Sequence, residues 1–577
     1  MKKPLFLLLV LASCLYLGSA LGPALLDDAD AANAATAREM ATRNDWVTMH
    51  MNGVRFLEKA PVMYWAIAAS FKLFGVSDFT ARLPLALAAI LLTYLVYLFG
   101  EWMGGARAGF YAGLSLCVGV GVYLFTRILI FEVILTVWIT LAFLIFLRVY
   151  YEEWPARCIY WFYACMAAAV LSKGLIGVLF PAGILFFYVL LTNGWRRVWQ
   201  MRPLTGGVLF LALAAPWHIL AGLRNDHFFW FYFINEHVRR FLGTRYPMDY
   251  DTMPLVPFWL GHLAWLFPFS VFLPLALRNP RALWRPAARR DQLRLFAIVW
   301  FLLIVGFFSF STRQEYYTFP VFPALALLTG LGLVEGEQEQ HPWITWGQGI
   351  LMTIGALVAL VLGWMLWLSR HVAPTGDIAD FLTSNPENYR LSLGHASDLT
   401  AAAFATLRFP AAGAALALGG GLTLAFILRL RNSAWAASLT TALAVAGLLF
   451  FAHHALGIFA PYLSSEHMAR AIQAHLKPED IVALNGEFQN HSSVGFYLQR
   501  PVLLVDGRTT VLEFGSHYPD CPPVFIDKTE IARLWAQSRR VFLVTYNDQW
   551  EKLSGILPAP AHRIAAGGGK TLYSNRK

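Results

Sequence analysis

The chain has 577 residues and a net charge of +10; 58% of its residues are hydrophobic, 14% are charged, and the mean hydropathy is +0.52. These values exclude an ordinary soluble protein and predict a polytopic α-helical membrane protein, because one soluble core needs far less apolar sequence. Nucleic-acid binding is not predicted, because Arg and Lys recur in short loops between apolar runs and form no continuous basic segment. The five cysteines show no CxxC or Cys/His spacing, so neither a disulfide framework nor a recognised type of zinc site is predicted.

The first apolar run covers residues 5–26 and follows Met1-Lys2-Lys3, so it has the outline of a cleavable signal. A run of about 20 apolar residues is nevertheless long enough to cross a bilayer. We therefore expect this run to be retained as the first transmembrane helix.

Apolar runs bounded by charge, Gly or Pro predict about thirteen transmembrane helices. They fall near residues 5–26, 81–100, 107–121, 123–148, 159–172, 174–192, 204–222, 255–277, 295–311, 316–334, 344–368, 409–428 and 435–457. With the N-terminus inside, this count places three arginine clusters in the cytoplasm, as the positive-inside rule requires. The clusters are Arg196-Arg197 with Arg202, the six arginines from Arg278 to Arg294, and Arg429 with Arg431.

The same count places residues 27–80, residues 223–254 and everything after 458 on the exterior face. We predict a membrane domain over 1–457 and a soluble periplasmic α/β domain over 458–577. In the first exterior segment, composition predicts two juxtamembrane helices, near 33–43 and 56–73, joined through Asn52-Gly53.

The C-terminal segment alternates short apolar strands with helices. Strands are expected near 481–484, 502–505 and 541–544, and helices near 465–475 and 528–538. The run Gly567-Gly568-Gly569-Lys570-Thr571 has some likeness to a phosphate-binding loop, but no Gly stands five residues before Gly569. A hairpin turn between two final strands is the favoured interpretation.

Three carboxylates, Asp27, Asp28 and Asp30, stand directly after the first apolar run. Carboxylates beside a bilayer usually mark chemistry. Capping of a following helix is the structural alternative, since Asp is a common N-cap residue, but capping explains one Asp rather than three.

Several motifs resemble those of a known family of membrane enzymes. They are Asp28-Ala29-Asp30, Glu58-Lys59-Ala60-Pro61, Leu171-Ser172-Lys173-Gly174, Arg127 with Glu132, the run from Phe233 to Phe241, and Tyr317. The chain resembles the GT-C glycosyltransferases, in the bacterial polyprenyl-phosphate-sugar branch that includes aminoarabinose-to-lipid A transferases and is related to protein O-mannosyltransferases. The family often has Asp-Glu in its first loop and a Lys in the segment occupied here by 313–317, so the sugar and the acceptor are less well determined than the reaction.

A lipid-phosphate donor has an anionic leaving group at the membrane surface and therefore calls for cations there. Lys59, Lys173 and Arg240 lie at predicted exterior helix ends, where they could hold the phosphate and stabilise the charge that develops on it. Ordinary interfacial lysines that extend toward water are the alternative for Lys59 and Lys173.

An attacking hydroxyl needs a base, and a carboxylate can take its proton. We favour Asp28 as the catalytic carboxylate, followed by Asp30 and then Asp27; for an acceptor that is already an ionised phosphate, the carboxylate would orient it instead. The supporting residues are Glu58, Arg127, Glu132, Glu236, His237 and Tyr317. Glu132 is expected either to pair with Arg127 or to face the active cavity.

No metal site is assigned from the sequence. Glu58, Glu236 and His237 carry groups that bind a divalent cation, yet an exterior His is more often solvated or capping. No cofactor is predicted with certainty, and a divalent metal is retained as an alternative.

The resulting hypothesis is an inverting glycosyltransferase of the bacterial inner membrane. It would move a sugar such as 4-amino-4-deoxy-L-arabinose from undecaprenyl phosphate to lipid A, another glycolipid or a protein on the periplasmic face. A lipid-linked sugar transporter or flippase is the alternative, but it predicts repeats and mid-membrane polar sites, whereas the polar residues here gather at exterior helix ends. A non-catalytic assembly or sensor protein would explain the C-terminal domain but not the Asp and Lys residues.

Overall fold

The computed structural model describes residues 3–248, 252–278, 286, 288–374, 401–558 and 560–577, without the side chains of 401–403. Among these residues, nine helices are long and apolar enough to cross a membrane, and the number rises to eleven if each of two bent pairs is one span. The nine are Lys3–Ala20, Asp78–Gly104, Glu132–Tyr150, Pro203–Arg224, Arg289–Ser309, Phe319–Gln338, Pro342–Ser369, Arg408–Leu430 and Ala434–Leu463. The prediction of a polytopic helical membrane protein is therefore confirmed, whereas the count of thirteen is not.

The two bent pairs are Ala106–Cys117 with Val120–Arg127, bent by 51°, and Leu255–Trp265 with Phe269–Leu277, bent by 104°. The shorter helices Ile159–Lys173 and Ile176–Leu191 occupy two more of the predicted runs.

The predicted single span over 123–148 is wrong. The chain leaves the helix after Arg127 and starts a new helix at Glu132. Apolar composition continues through the intervening residues, so hydropathy alone does not reveal this break.

The segment after the first helix, predicted to be exterior, contains two helices, as predicted, at Ala29–Arg43 and Val62–Phe74. Between them lies a hairpin that the sequence analysis missed, formed by β1 (Met49–Met51) and β2 (Val54–Phe56). Asn52 and Gly53 both have positive φ, as a tight hairpin turn requires. Three-residue strands are too short to show an alternating pattern.

The C-terminal domain is built on a six-stranded sheet. Its strands are β3 (Ile481–Asn485), β4 (Leu503–Val505), β5 (Phe525–Ile526), β6 (Val541–Tyr546), β7 (His562–Gly567) and β8 (Lys570–Ser574), in the order β5-β4-β3-β6-β8-β7. The first four strands pair in parallel, whereas β8 is antiparallel to both β6 and β7. The helices flanking the sheet include Glu466–Gln473, Ser492–Leu498, Lys528–Trp535 and Asn547–Ser554.

The predicted strands and the final hairpin at Gly567 are present. The last membrane helix runs to Leu463, six residues beyond the predicted end of the membrane domain at 457.

Candidate active site

Two cavities meet beside the helix ends at Glu132 and Lys173. A polar cavity of about 800 Å³ lies between the first exterior segment, the helix ends at Glu132 and Lys173, and the C-terminal domain. A mainly apolar cavity of about 320 Å³ extends along the helix that begins at Ile176. Residues that line both cavities are Glu58, Lys59, Phe131, Lys173, Arg240 and Tyr317. All three cations predicted to bind phosphate therefore lie where the polar and apolar spaces join.

Lys173 is the last residue of the helix Ile159–Lys173 and carries the central cation of this junction. Its ammonium donates to the Glu132 carboxylate and lies 4.8 Å from the ring centre of Tyr317. The Lys59 ammonium is 3.4 Å from the Glu58 carboxylate, and Arg240 donates to the Tyr317 hydroxyl over 3.1 Å. These contacts hold the three cations toward one shared space.

Glu132 faces the polar cavity and pairs with Lys173, which decides between the two arrangements expected from the sequence. Arg127 instead donates to the Gly22 carbonyl over 2.8 Å. The second carboxylate oxygen of Glu132, Oε2, is buried and has no hydrogen-bond partner within the described part of the chain. A buried acceptor of this kind is available to a donor group of a bound molecule.

Arg245 joins two loops beneath the site, and the sequence analysis did not identify it. Its guanidinium donates to Glu58 over 2.7 Å and to Glu236 over 2.7 Å, and its side chain is 2% exposed. Burial raises the pKa of Glu236, but the charges of Arg240 and Arg245 outweigh burial and hold that pKa below its ordinary value. Nothing in the local sequence distinguishes Arg245 from the neighbouring Arg239 and Arg240, because one of its two partners, Glu58, is 187 residues away in the chain.

His237 holds the turn that follows Lys173. Its Nδ1 lies 2.6 Å from the Tyr232 carbonyl, and its Nε2 accepts a hydrogen bond from the backbone N–H of Leu175. Burial lowers the pKa of His237, which favours the neutral ring that this pairing needs. Gly174 has φ +77°, and a Cβ there would lie 2.1 Å from His237 Nε2, so this turn requires glycine.

The three aspartates have different surroundings. Asp28 lines the polar cavity, and its carboxylate accepts from the Gln489 side chain over 3.1 Å. Asp30 is 1% exposed and accepts from Arg82 over 2.9 Å and from the Leu129 backbone over 2.9 Å. Asp27 pairs with Lys570 of the C-terminal domain over 2.6 Å. Of the three, the structure places Asp28 in the cavity lining and the other two in ion pairs beside it.

The C-terminal domain also lines the polar cavity. It contributes Glu487, Gln489, Thr510 and Val511. The sequence analysis missed these residues, because no local pattern indicates which loop of that domain faces the membrane.

A group of three His, Cys, Asp or Glu side chains placed to hold a metal ion is absent from the described residues. Glu58 and Glu236 were considered above as ligands of a divalent cation. In the structure both carboxylates instead accept hydrogen bonds from Arg245.

Comparison with known proteins agrees with this architecture. The structure is similar to that of ArnT from Cupriavidus metallidurans bound to undecaprenyl phosphate, with a TM-score of 0.82 and 23% identity over 99% of this chain and 97% of that one. The apo state of the same protein gives a TM-score of 0.80 and 22% identity, again over 99% and 97% of the two chains. The chain therefore shares the fold of this polytopic helical membrane protein over nearly its whole length.

Comparison of the sequence with known proteins gives matches to glycosyltransferases. Residues 58–220 match the family model described as dolichyl-phosphate-mannose-protein mannosyltransferase. The undecaprenyl phosphate-alpha-4-amino-4-deoxy-L-arabinose arabinosyl transferase of Pseudomonas aeruginosa (strain UCBPP-PA14) is 30% identical over 361 residues, which are 59% of this chain and 61% of that protein. The protein of the same description from Aeromonas salmonicida (strain A449) is 28% identical over 57% and 60% of the two chains.

The match thus spans about 60% of the length of these relatives. The chain is thus similar in sequence to these transferases over part of their length and similar in fold to ArnT, in agreement with the resemblance of its motifs.

Proposed function

We propose that the protein is a glycosyltransferase that moves a sugar from undecaprenyl phosphate to an acceptor of the cell envelope. The observation that carries this proposal is the junction of the two cavities at Lys59, Lys173 and Arg240. A prenyl-phosphate sugar has an apolar chain, a charged phosphate and a polar sugar in sequence. The apolar cavity, the three cations and the polar cavity follow in the same order.

The cations lower the barrier by stabilising the leaving group. The bond between the anomeric carbon and the phosphate oxygen breaks, and undecaprenyl phosphate departs with the electron pair. Lys59, Lys173 and Arg240 are placed to hold the charge that develops on this phosphate. Donors fixed before the reaction need little reorganisation as that charge appears.

Asp28 is the carboxylate that we assign to the acceptor. For a hydroxyl acceptor it takes the proton as oxygen attacks the anomeric carbon from the face opposite the phosphate, which inverts the configuration. For a phosphate acceptor, as on lipid A, no proton needs to be removed and Asp28 orients the nucleophile. We propose 4-amino-4-deoxy-L-arabinose as the sugar, because the names of the related transferases give this sugar on undecaprenyl phosphate. We propose lipid A as the acceptor, as the resemblance of the motifs to aminoarabinose-to-lipid A transferases implies.

The reaction is assigned to the periplasmic face of the inner membrane. Lys173 and the arginine cluster at 196–202 lie at opposite ends of the helix Ile176–Leu191. Since clustered arginines favour the cytoplasm, the cations of the candidate site would face the periplasm.

A lipid-linked sugar flippase remains the second candidate, because it too would hold a prenyl chain and a charged headgroup. The two candidates differ in whether a covalent bond to the sugar is broken. The buried, unpartnered Glu132 oxygen and the carboxylate of Asp28 at the same cavity favour chemistry over passage.

The deciding experiment incubates purified full-length protein with undecaprenyl-phosphate sugars and envelope lipids and follows the products by mass spectrometry. We expect a glycosylated acceptor and free undecaprenyl phosphate from the wild type, and at least a tenfold slower reaction from Asp28→Asn and Lys59→Ala. Transport of labelled donor across liposomes with no product would support the flippase instead. Full activity in both variants would show that Asp28 and Lys59 do not form the active site.

The role of a divalent cation is tested in the same assay. A cation at Glu58 or Glu236 would compete with Arg245 for the same carboxylates. Activity that a chelator abolishes and Mg²⁺ or Mn²⁺ restores would establish a metal requirement. Activity that survives chelation would assign phosphate binding to the protein cations.

A further inference from the structure

Asp28 has a backbone conformation that a non-glycine residue rarely adopts, with φ 67° and ψ −127°. Conformations of this kind persist only where surrounding contacts impose them. Three of these contacts come from one segment of the C-terminal domain. The N–H of Asp28 donates to the Gln489 carbonyl over 2.8 Å, its carboxylate accepts from the Gln489 side chain, and its carbonyl accepts from the Ser492 hydroxyl over 3.3 Å.

A buried ion pair lies directly behind this contact. The Lys570 ammonium, on strand β8, donates to Asp27 over 2.6 Å and to the Asn490 carbonyl over 2.8 Å. Asp27 and Asn490 are the chain neighbours of Asp28 and Gln489. Lys570 therefore fastens together the two segments whose next residues form the contact with Asp28.

Further hydrogen bonds hold the ion pair between Asp27 and Lys570 in place. Asp27 also accepts from the hydroxyls of Ser465 and Ser493, each over 2.7 Å, and from the Ser493 backbone N–H over 2.9 Å. The side chains of Lys570 and Asp27 are 3% and 9% exposed. Water screens such a pair little, so its geometry is tightly defined.

We propose that Lys570 is a positioning residue for the transfer reaction and acts through Asp27 to aim the Asp28 carboxylate into the polar cavity. Lys570 is not part of the lining of that cavity. The C-terminal domain thus fixes the reactive carboxylate, while the membrane domain holds the phosphate. This inference rests on the proposed function, because transfer is one of its readouts.

A double-mutant cycle separates positioning from a general structural role. Lys570→Met should lower kcat at least tenfold and leave KM for the donor within about twofold, because the phosphate-binding cations belong to other elements. In an Asp28→Asn background, Lys570→Met should lower kcat by no more than about twofold, since the group it positions is already gone. Lys570→Arg should restore at least half of the wild-type kcat. A full and additive loss in both backgrounds would overturn the proposal.

Two further variants guard against simple misfolding. Asp27→Asn/Lys570→Met removes both charges and so leaves no unpaired buried ion, and it should show the same loss of kcat. Lys552→Met removes an exposed lysine of the same domain and should leave activity unchanged. Unchanged kcat in the neutral double variant would overturn the proposal.

Hydrogen exchange gives a readout that does not depend on transfer. In the full-length neutral double variant, amides of residues 26–32 should exchange at least tenfold faster than in the wild type, while amides near Lys59 and Lys173 should not change. Such a result with an inactive wild type would support the placement of Asp28 and reject the proposed reaction. Unchanged exchange at 26–32 would reject the positioning role, whatever the activity.

Discussion

Lys173 combines two kinds of contact that a phosphate-binding residue needs. Glu132 fixes its ammonium, and the ring of Tyr317 covers one side of it at 4.8 Å. An ammonium has three N–H donors, so one contact to Glu132 still leaves donors for phosphate oxygens. Its position is set by the helix end and by Gly174, not by its own flexible chain.

Replacing Lys173 with Met should lower kcat for transfer about 100-fold, equivalent to about 2.7 kcal/mol of transition-state stabilisation. The loss has two sources, the missing phosphate cation and the unpaired Glu132 carboxylate. Initial rates with an undecaprenyl-phosphate sugar measure it. Lys72→Met is the matched control, because Lys72 donates to Asn44 on the exterior surface away from both cavities. A decrease in kcat of less than threefold would show that Lys173 does not bind the phosphate.

Gly174→Ala should be disruptive although alanine is small. The residue must keep φ near +77°, and the new Cβ would collide with the His237 ring. A positive-φ strain of about 1–3 kcal/mol is expected in addition to the displacement of His237. We expect a lower thermal midpoint and at least a tenfold lower kcat/KM, measured on the purified protein. Gly207→Ala, in the helix Pro203–Arg224 where a Cβ meets no atom within 4 Å, should lower neither quantity, because alanine favours the helix.

At the scale of single residues, sequence reasoning identified the cations and the preferred aspartate of the cavity lining but could not rank the aspartates physically. Asp27, Asp28 and Asp30 share one short polar run, and their directions depend on the positive φ of Asp28 and on partners far along the chain, such as Arg82 and Lys570. Arg245 was missed for the same reason. Side-chain chemistry is readable from sequence, whereas long-range pairing is not.

At the scale of elements, ion pairs join the segment after the first helix to the segment that follows the helix Pro203–Arg224. Arg245 follows the helical turn Trp230–Arg239 and reaches Glu58 in the first exterior segment. Glu58 precedes Lys59, and Glu236 pairs with Arg240 over 2.6 Å. The Arg245 guanidinium thereby links the segments that carry Lys59 and Arg240, two of the cations proposed to bind phosphate.

Arg245→Met should therefore raise KM for the donor more than it lowers kcat. Two buried carboxylates lose their shared partner, and breaking a buried pair typically costs about 3–5 kcal/mol. The carboxylates will then recruit Lys59 and Arg240 more strongly and draw both away from the donor. Steady-state kinetics at varied donor concentration measures the split. Arg157→Met, in an exposed turn, serves as the control, and an unchanged KM would contradict this role.

Helices and strands were predicted most reliably from the sequence where their hydrophobic pattern continued over several residues. Five of the six strands of the C-terminal sheet and both helices between residues 29 and 74 were anticipated, whereas the two-residue strand β5 and the three-residue strands β1 and β2 were not. The span predicted over 123–148 failed because the break between Arg127 and Glu132 lies in apolar sequence. That break places Glu132 at a helix start beside the polar cavity.

At the scale of the whole molecule, the site is assembled from distant parts of the chain. The hairpin between β1 and β2 exchanges two hydrogen bonds with Val502 through Asn52, and Arg55 pairs with Asp520 over 2.7 Å. Tyr246 donates to Glu513 over 2.9 Å. The C-terminal domain is therefore held against both exterior loops, and its stability is coupled to the geometry of the polar cavity.

This coupling predicts a pH dependence that involves His491. The ring is fully buried 5.0 Å from Tyr546, and burial together with the charge of Lys570 lowers its pKa to about 3, although Asp27 opposes the shift. An unfolded chain binds this proton below about pH 6.5, whereas the folded chain remains neutral there. Stability should consequently fall as pH drops from 7 to 5. Burial raises the pKa of Asp27, but Lys570 lowers it overall, so Asp27 stays ionised and adds nothing in this window.

The expected loss is about 2 kcal/mol between pH 7 and pH 5, from the ionisation of His491 in the unfolded state alone. Thermal unfolding of the full-length protein should show a midpoint that falls by several degrees across this range. His491→Gln should flatten the dependence, because its amide does not titrate. His475→Gln, at an exposed position of the same domain, should preserve the wild-type slope. Equal slopes for wild type and His491→Gln would show that the contact between the two domains is not sensitive to this proton.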